Sequence, residues 1–254
     1  MNKKGAIMHW ILFGVLLALG IFFMGSKAGF VSVQPTASWQ LDFLQHNYLE
    51  AEKWILKTNI VARGVGTEIA QELAQHGGYK AAAPSDCGTI ENINFWNKGE
   101  KNCFPDVSSA AVELAVAKLN QLSGKTFSSV GFKDTFFYGK SGKESIGTTD
   151  ARYIFENSFY VNIGYSFSEY NQIKQEAQSL LAICTENVAA CLKEKKPKHW
   201  HYLSCTNEPA IPADAQEIVF CVESPGKYKI HDEGVEYHFA LDFSEETEES
   251  ANIS

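Results

Sequence analysis

Cysteine is the residue type that offers this chain the widest chemistry. The chain has six cysteines: Cys87, Cys103, Cys184, Cys191, Cys205 and Cys221. An even number of cysteines in an exported domain favours disulfides over metal binding or thiol chemistry. Cys87 and Cys103 bracket one loop-like segment, and we therefore predict that they pair with each other.

The remaining four cysteines pose a question of spacing. Cys184 and Cys191 lie seven residues apart in a strongly helical stretch. On a continuous helix their Cα atoms would be about 10.5 Å apart, which exceeds the limit of roughly 7 Å for a disulfide. We therefore expect them to pair with Cys205 and Cys221, unless the helix breaks near Asn187.

Two histidines next to one of these cysteines suggest a second chemistry. His199 and His201 would lie on the same face of a strand, and Cys205 follows four residues later. Imidazole and thiolate are zinc ligands, so these three residues are the weak metal candidates. The spacing matches no tight ligand pair, however, and an exported thiol is oxidised to a disulfide. We therefore expect no cofactor and no metal, and no free thiolate for nucleophilic catalysis.

An aromatic pair is the candidate for ligand binding. Phe95 and Trp96 stand at the centre of a segment rich in Ala, Gly and Asn that the first two cysteines bracket. The pair could form the lid of a binding loop, or it could be buried against the domain. An apolar pocket beside this loop would favour a receptor for a small molecule or peptide.

The elements that must position these residues are helices and strands in separate runs, which predicts an α+β fold. An apolar stripe from Leu41 to Ile69 indicates a long amphipathic helix over 38–78, which Gly77 and Gly78 end. Its stripe could pack against the domain or against a neighbouring copy. The stretch 79–243 is predicted to hold further helices on a mostly antiparallel sheet. Those helices begin at Pro105–Asp106 and at Ser168. A turn is expected at 139–147, and a hairpin is expected to pair 228–231 with 237–243. The other strands are expected near 126–138, 152–167, 200–205 and 217–223.

The N-terminal segment predicts the location of the whole chain. Nineteen residues, Ala6–Met24, contain no charged side chain, and as a helix they would span about 28 Å, close to the thickness of a bilayer core. Lys3 and Lys4 precede them, which favours a cytoplasmic N-terminus. We therefore predict a cytoplasmic leader over 1–5, a transmembrane helix over 6–25, a hinge over 26–37 at Pro35, and a single-pass protein of the cell membrane with its C-terminal domain outside.

The fate of that segment has three readings. The first reading is a retained signal-anchor, because a secretory signal has a shorter apolar core. The second is cleavage after Ala28, since residues 26–28 have the small-x-small form. The third reading is processing at the Gly5–Ala6 junction: Lys3-Lys4-Gly5-Ala6 resembles the class III leader of archaeal pilins, which a prepilin peptidase cuts, with His9 and Trp10 where that family carries Glu or Gln.

About a third of the chain is similar to a group of uncharacterised single-pass membrane proteins of small-genome archaea. The similarity implies a surface location and an anchored ectodomain, and it supplies no catalytic residues. It lies in the apolar N-terminus, Trp39–Gln45, Glu68–Tyr79, the Cys87-Gly88 and Cys103-Phe-Pro105 bracket around Trp96-Asn97, and Tyr237–Phe243.

Charge and composition narrow the function. The net charge is −8, and because an acidic chain repels phosphates we expect no nucleic-acid partner. The run 244–254 is predicted to be a solvated acidic tail. The leading hypothesis is a non-enzymatic, membrane-anchored surface protein, in its sharpest form a pilin-like or adhesion subunit, with the bilayer and copies of itself or other surface proteins as partners. The alternatives are an anchored receptor for a small molecule or peptide, and an exported hydrolase or zinc enzyme.

Overall fold

The computed structural model describes residues 3–80, 85–147 and 151–244, without the side chains of 3–12, 25–39 and 42. Its helices are α1 (Lys3–Gln75), α2 (Val107–Ser123), α3 (Glu169–Ile183) and α4 (Val188–Lys195). Its longer strands are β5 (Phe127–Lys133), β6 (Phe136–Gly147), β7 (Arg152–Asn162), β8 (Trp200–Tyr202), β9 (Glu217–Glu223) and β12 (Glu236–Asp242). The short strands are β1 (Thr89–Ile90), β2 (Ile93–Asn94), β3 (Asn97–Lys98), β4 (Lys101–Asn102), β10 (Lys229–Ile230) and β11 (Glu233–Gly234). The α+β class is confirmed.

Helix α1 is continuous over the segments predicted as membrane span, hinge and amphipathic helix. The predicted hinge over 26–37 therefore differs from the structure: a proline has a φ compatible with a helix and removes only one main-chain donor, so helix can continue through Pro35. None of the helices described combines the length with the apolar character that crossing a membrane requires. The first part of the predicted span, 6–12, lies outside the residues whose side chains are described, and so does almost all of the predicted acidic tail.

Two glycines end α1 as predicted. The Gly78 N–H donates to the Leu73 carbonyl at 2.6 Å and the Gly77 N–H donates to the Ala74 carbonyl at 3.2 Å. This pair of bonds is the Schellman motif, in which the residue after the cap adopts a left-handed conformation that favours glycine. Gly77 has a φ of 63°.

The chain divides into two compact units, Met1–Lys53 with Ser145–Phe155, and Trp54–Glu144 with Glu156–Ser254. In the first unit, the rings of Tyr48 and Tyr153 make an edge contact at 6.4 Å. In the second unit, the predicted apolar stripe of α1 is buried from Thr58 to Ile69 and joins the main hydrophobic core. The stripe thus packs on its own domain in this part of the helix.

The strands form two three-stranded antiparallel sheets, in the orders β5-β6-β7 and β12-β9-β8, and three two-stranded hairpins. The turn predicted at 139–147 is wrong, because these residues belong to β6. Gly139 lies opposite Val130 in the ladder, and a Cβ there would stand 2.7 Å from the Phe159 ring. Glycine in this strand therefore marks a close approach rather than a turn.

The predicted pairing of 228–231 with 237–243 is also wrong. Strand β12 pairs with β9 along its whole length, with Phe239 opposite Phe220, while β10 pairs with β11. Both β9 and β12 are almost completely buried. Apolar residues on both faces give no alternation from which a register could be read, and long-range packing then decides the partner.

All six cysteines form disulfides. One predicted bond is confirmed, and the two bonds expected from Cys184 and Cys191 to Cys205 and Cys221 do not form, because the helix breaks near Asn187, the alternative that the sequence left open. Cys87 pairs with Cys103 as predicted, whereas Cys184 pairs with Cys191 and Cys205 with Cys221. Helix α3 ends at Ile183, and Asn187 caps the N-terminus of α4 in a left-handed conformation with a φ of 45°. This break near Asn187 brings the Cα atoms of Cys184 and Cys191 to 5.5 Å, within bridging distance.

Candidate ligand cavity

The second unit contains a cavity of about 350 Å³ between the first turns of α2 and α3. This volume falls within the usual range for small-molecule sites, about 300–1,000 Å³. Its lining combines an aromatic wall with polar groups near the helix starts, and comprises Trp96, Phe104–Ser108, Ala111, Val112, Phe132, Asp134, Ser166–Ser168, Tyr170, Asn171 and Lys174.

The α2 wall is positioned by a helix cap and a glycine. Asp106 caps α2: one carboxylate oxygen accepts from the Ser109 N–H at 3.1 Å and the other from the Ser109 hydroxyl at 2.7 Å. These bonds lower the pKa of Asp106, so the carboxylate is charged at neutral pH. A Cβ on Gly78, whose φ is +87°, would lie 2.7 Å from Pro105 and 2.8 Å from Val107. The end of α1 can therefore approach this wall only through a glycine.

The aromatic wall is rigid. Trp96 stacks on Phe239 with a centroid distance of 3.7 Å and an interplanar angle of 5°, and its indole N–H donates to the Gly77 carbonyl at 2.8 Å. Across the cavity lining, Phe132 meets Phe167 edge-on at 4.7 Å. Aromatic rings fixed in this way present apolar surface that need not reorganise on binding.

Three charged side chains complete the lining. The Lys174 ammonium lies 4.9 Å from the centre of the Phe104 ring, in a cation–π contact. Asp106 is at the start of α2, and Asp134 lies in the left-handed turn between β5 and β6 with a φ of 52°. The hydroxyls of Ser166 and Ser168 are 2.8 Å apart. The cavity can therefore hold an apolar body and meet a polar or charged group at its rim.

A buried carboxylate network anchors the start of α3. Glu169 is only 6% exposed, and it accepts hydrogen bonds from the Ser224 hydroxyl at 2.9 Å, the Gly226 N–H at 2.5 Å and the Tyr237 hydroxyl. The Tyr237 hydroxyl is in turn 2.9 Å from that of Tyr165. Three donors bond to the oxygens of this buried side chain, as a buried polar group requires.

The same network holds its tyrosines protonated. Burial raises the pKa values of Tyr165, Tyr170 and Tyr237, and neighbouring phenols and Glu169 raise them further. A phenol with a raised pKa is a hydrogen-bond donor and not a base at neutral pH. The network therefore positions the start of α3.

Of the two alternatives for the aromatic pair, the structure has burial against the domain and not a lid. Phe95 and Trp96 are 3% and 1% exposed. Phe95 packs in a small core with the first disulfide and with Val219 and Ala240, and only Trp96 lines the cavity, as a fixed wall. The Trp96 main-chain N–H donates to the Ala240 carbonyl at 2.9 Å, which ties this segment to β12.

The structure does not bring the predicted zinc candidates together. The Nε2 atom of His199 is 2.9 Å from a Glu176 carboxylate oxygen, whereas His201 lies between Glu208 at 3.4 Å and Glu223 at 3.7 Å. The sulfur of Cys205 is bonded to Cys221. A disulfide sulfur is not a thiolate ligand, so this trio does not form a metal site in the oxidised protein.

Several residues that matter here had only weak sequence signals. Lys174 is a half-buried residue of a helix, and Asp134 lies in an exposed turn. Charged residues are common in both places, so nothing in the local sequence marks these two as cavity residues. Glu169 follows directly after the predicted helix start at Ser168, and no local signal marks it as buried. The predicted processing junction, Gly5–Ala6, lies outside the residues whose side chains are described.

Similarity to other proteins does not add to this picture, because the chain matches no known protein family and shows no significant similarity to a curated protein or to a solved structure.

Proposed function

We propose that this chain is a non-enzymatic, membrane-anchored surface protein whose disulfide-linked α+β domain lies outside the cell. The observation that carries the proposal is the exposure of apolar side chains all around α1 between residues 13 and 24. Large apolar residues there are 48–77% exposed: Phe13, Val15, Leu16, Leu17, Leu19, Ile21, Phe22 and Met24. Such a surface is stable only against lipid or another protein.

The disulfides support the same arrangement. All three bonds lie after α1, and such bonds persist in oxidising compartments. Together with the lysines before the apolar run, they favour an N-terminus inside and a domain outside.

Membrane extraction tests the anchor. The double variant Leu16→Arg with Leu19→Arg should move the full chain from the carbonate-resistant membrane fraction to the supernatant, because each arginine near the centre of a span costs about 2.5–3.5 kcal/mol. The matched control is Leu41→Arg with Leu44→Arg, which changes exposed leucines of the same helix outside the apolar run. An equal distribution of the two variants would contradict the anchor.

The pilin-like version of this proposal rests on the leader alone. N-terminal sequencing of the mature protein distinguishes the three fates: a chain that begins at Ala6 supports prepilin processing, one that begins at Gly29 indicates signal-peptide cleavage, and an intact Met1 or Asn2 indicates a retained anchor.

The cavity favours a second candidate function, that of an anchored receptor for a small molecule. The observation that favours it is a cavity whose lining combines the aromatic wall with the charged side chains of Lys174 and Asp134. A ligand screen by thermal shift on the full chain in detergent tests it, with Ser108→Trp filling the cavity mouth and Ala117→Trp as the control on an α2 residue outside the lining. A true ligand raises the Tm of the wild type and of the control but not that of Ser108→Trp. Equal shifts in all three proteins would contradict binding at this cavity.

A further inference from the structure

Strand β7 is a long strand at the edge of its sheet. It has 11 residues and lies at the end of its sheet, so within the described part of the chain no strand pairs with its outer edge. Its residues alternate between buried and exposed side chains. Native proteins usually shorten, charge or cover such an edge, because its free N–H and C=O groups can pair with another strand.

Two large apolar side chains stand on the exposed face of this strand. Ile154 is 65% exposed and Tyr160 is 62% exposed. The Tyr160 ring stacks on Phe136 of the neighbouring strand at 4.7 Å, which fixes its position on the sheet surface. Large apolar residues on an open edge strand are typical of a strand that pairs with a partner.

The sequence of β7 is complementary to itself when two copies run antiparallel. With Asn157 on the symmetry axis, Ile154 lies opposite Tyr160, Phe155 opposite Phe159 and Tyr153 opposite Val161. The charged residues meet neutral ones, since Arg152 faces Asn162 and Glu156 faces Ser158. Aromatic and β-branched cross-strand pairs stabilise a sheet, and no like charges oppose each other in this register.

The residue on the axis has an unmet hydrogen-bonding need. Asn157 is only 1% exposed, and its Oδ1 atom has no hydrogen-bond partner in the structure. A buried amide oxygen without a partner is unusual in a native protein. Because this amide is enclosed within one copy, contact with a second copy would fall to the main chain and to the exposed side chains of β7.

We propose that β7 pairs with β7 of a second copy of this chain, antiparallel and centred on Asn157, so that two three-stranded sheets join into one six-stranded sheet. The contact is isologous, as in most closed dimers. Its exposed face would carry an Ile154–Tyr160 pair at each end.

Site-directed cross-linking tests the register in the full chain. Copies with Ser158→Cys and copies with Glu156→Cys, carrying different tags, are coexpressed and oxidised. We expect a cross-linked product that carries both tags, since these positions face each other across the axis. The control is Ser129→Cys with Glu156→Cys, because Ser129 is on β5 at the opposite edge of the same sheet. Absence of the product, or an equal yield with the control, would overturn the proposal.

A charge on the exposed face tests the contact by a second route. Tyr160→Lys should weaken dimerisation at least tenfold in analytical ultracentrifugation of the detergent-solubilised chain. Leu122→Lys, an exposed residue of α2, should leave it unchanged. If circular dichroism shows that Tyr160→Lys does not fold, the cross-linking experiment alone tests whether β7 pairs with β7. A wild-type chain that stays monomeric at every concentration would also overturn the proposal.

Discussion

Replacing Glu169 by alanine tests the idea that one buried carboxylate holds the start of α3 beside the cavity. The change removes the acceptor of three hydrogen bonds, from the Ser224 hydroxyl, the Gly226 N–H and the Tyr237 hydroxyl. The Tyr237 hydroxyl can still bond to the Tyr165 hydroxyl, and Gly226 is exposed, so its N–H can reach water. The buried Ser224 hydroxyl accepts from the Tyr228 N–H but would have no acceptor for its own O–H among the residues that the structure describes.

The magnitude follows from this count. A hydrogen bond to a charged group contributes about 1.5–3 kcal/mol, and a buried donor left unpaired costs about 1–3 kcal/mol. Because the buried Ser224 hydroxyl loses its acceptor while the other two donors can bond elsewhere, we expect Glu169→Ala to lower the free energy of unfolding by about 3 kcal/mol. Glu169→Gln keeps the shape and one acceptor oxygen, and we expect about half that loss. For a chain of this size, 3 kcal/mol corresponds to a Tm lowered by roughly 6–12 °C.

Urea unfolding with the disulfides intact, followed by the fluorescence of the buried Trp96 and Trp200, measures the change. Glu186→Ala is the matched control, because Glu186 is an exposed glutamate, and its effect should stay within about 0.5 kcal/mol. A loss below about 1 kcal/mol for Glu169→Ala, or a larger loss for the glutamine variant, would refute the reasoning.

Three further predictions concern the second unit. Burial alone would raise the pKa of Asp242, but hydrogen bonds from Ser244 and Gly99 lower it below the ordinary value of 3.8. The contribution of Asp242 to the free energy of unfolding is therefore present above pH 3.8 and is lost as the pH falls through the folded pKa. In urea unfolding, Asp242→Asn should be less stable than the wild type at pH 7, and its stability should fall less below about pH 4. Removing the Cys184–Cys191 disulfide with alanines should cost about 2.5 kcal/mol in urea unfolding, the loop entropy of eight residues, and no loss would mean that the helix break alone holds this bend. Trp96→Phe leaves the Gly77 carbonyl without its indole donor and should lower the free energy of unfolding by about 2 kcal/mol. A Tm equal to that of the wild type would contradict this prediction.

Part of the fold was predictable because its signals are local. Asp106 and Gly124 delimit α2: the aspartate accepts from the Ser109 N–H, and the glycine, with a φ of 66°, forms the C-cap. The predicted span of β9 matches the structure at both ends, Glu217 and Glu223. A cap, a glycine stop and a short β-branched run each act within a few residues, so the sequence around them carries the information.

For the candidate site, the sequence identified one segment of the chain but not how its residues are arranged. Phe95 and Trp96 were identified as the residues of interest, and Trp96 does line the cavity, but as a wall that Phe239 and Gly77 hold in place. Phe239 is 143 positions later in the chain, and no spacing rule connects the two. Lys174 reaches the cavity because α3 packs there, and a charged residue on a helix gives no sign of its neighbour in space.

By itself the sequence determined the uncharged run of nineteen residues, the long helix with its glycine stop, the even number of cysteines and the α+β class. The tertiary structure decided which cysteines meet, which strand β12 joins, and where the cavity and the open edge of β7 lie. The physical reason is the range of the interactions. Periodicity, caps and turns are encoded within about one helical turn or a few residues, whereas disulfide partners, strand partners and cavities depend on contacts between distant segments, which only packing brings together.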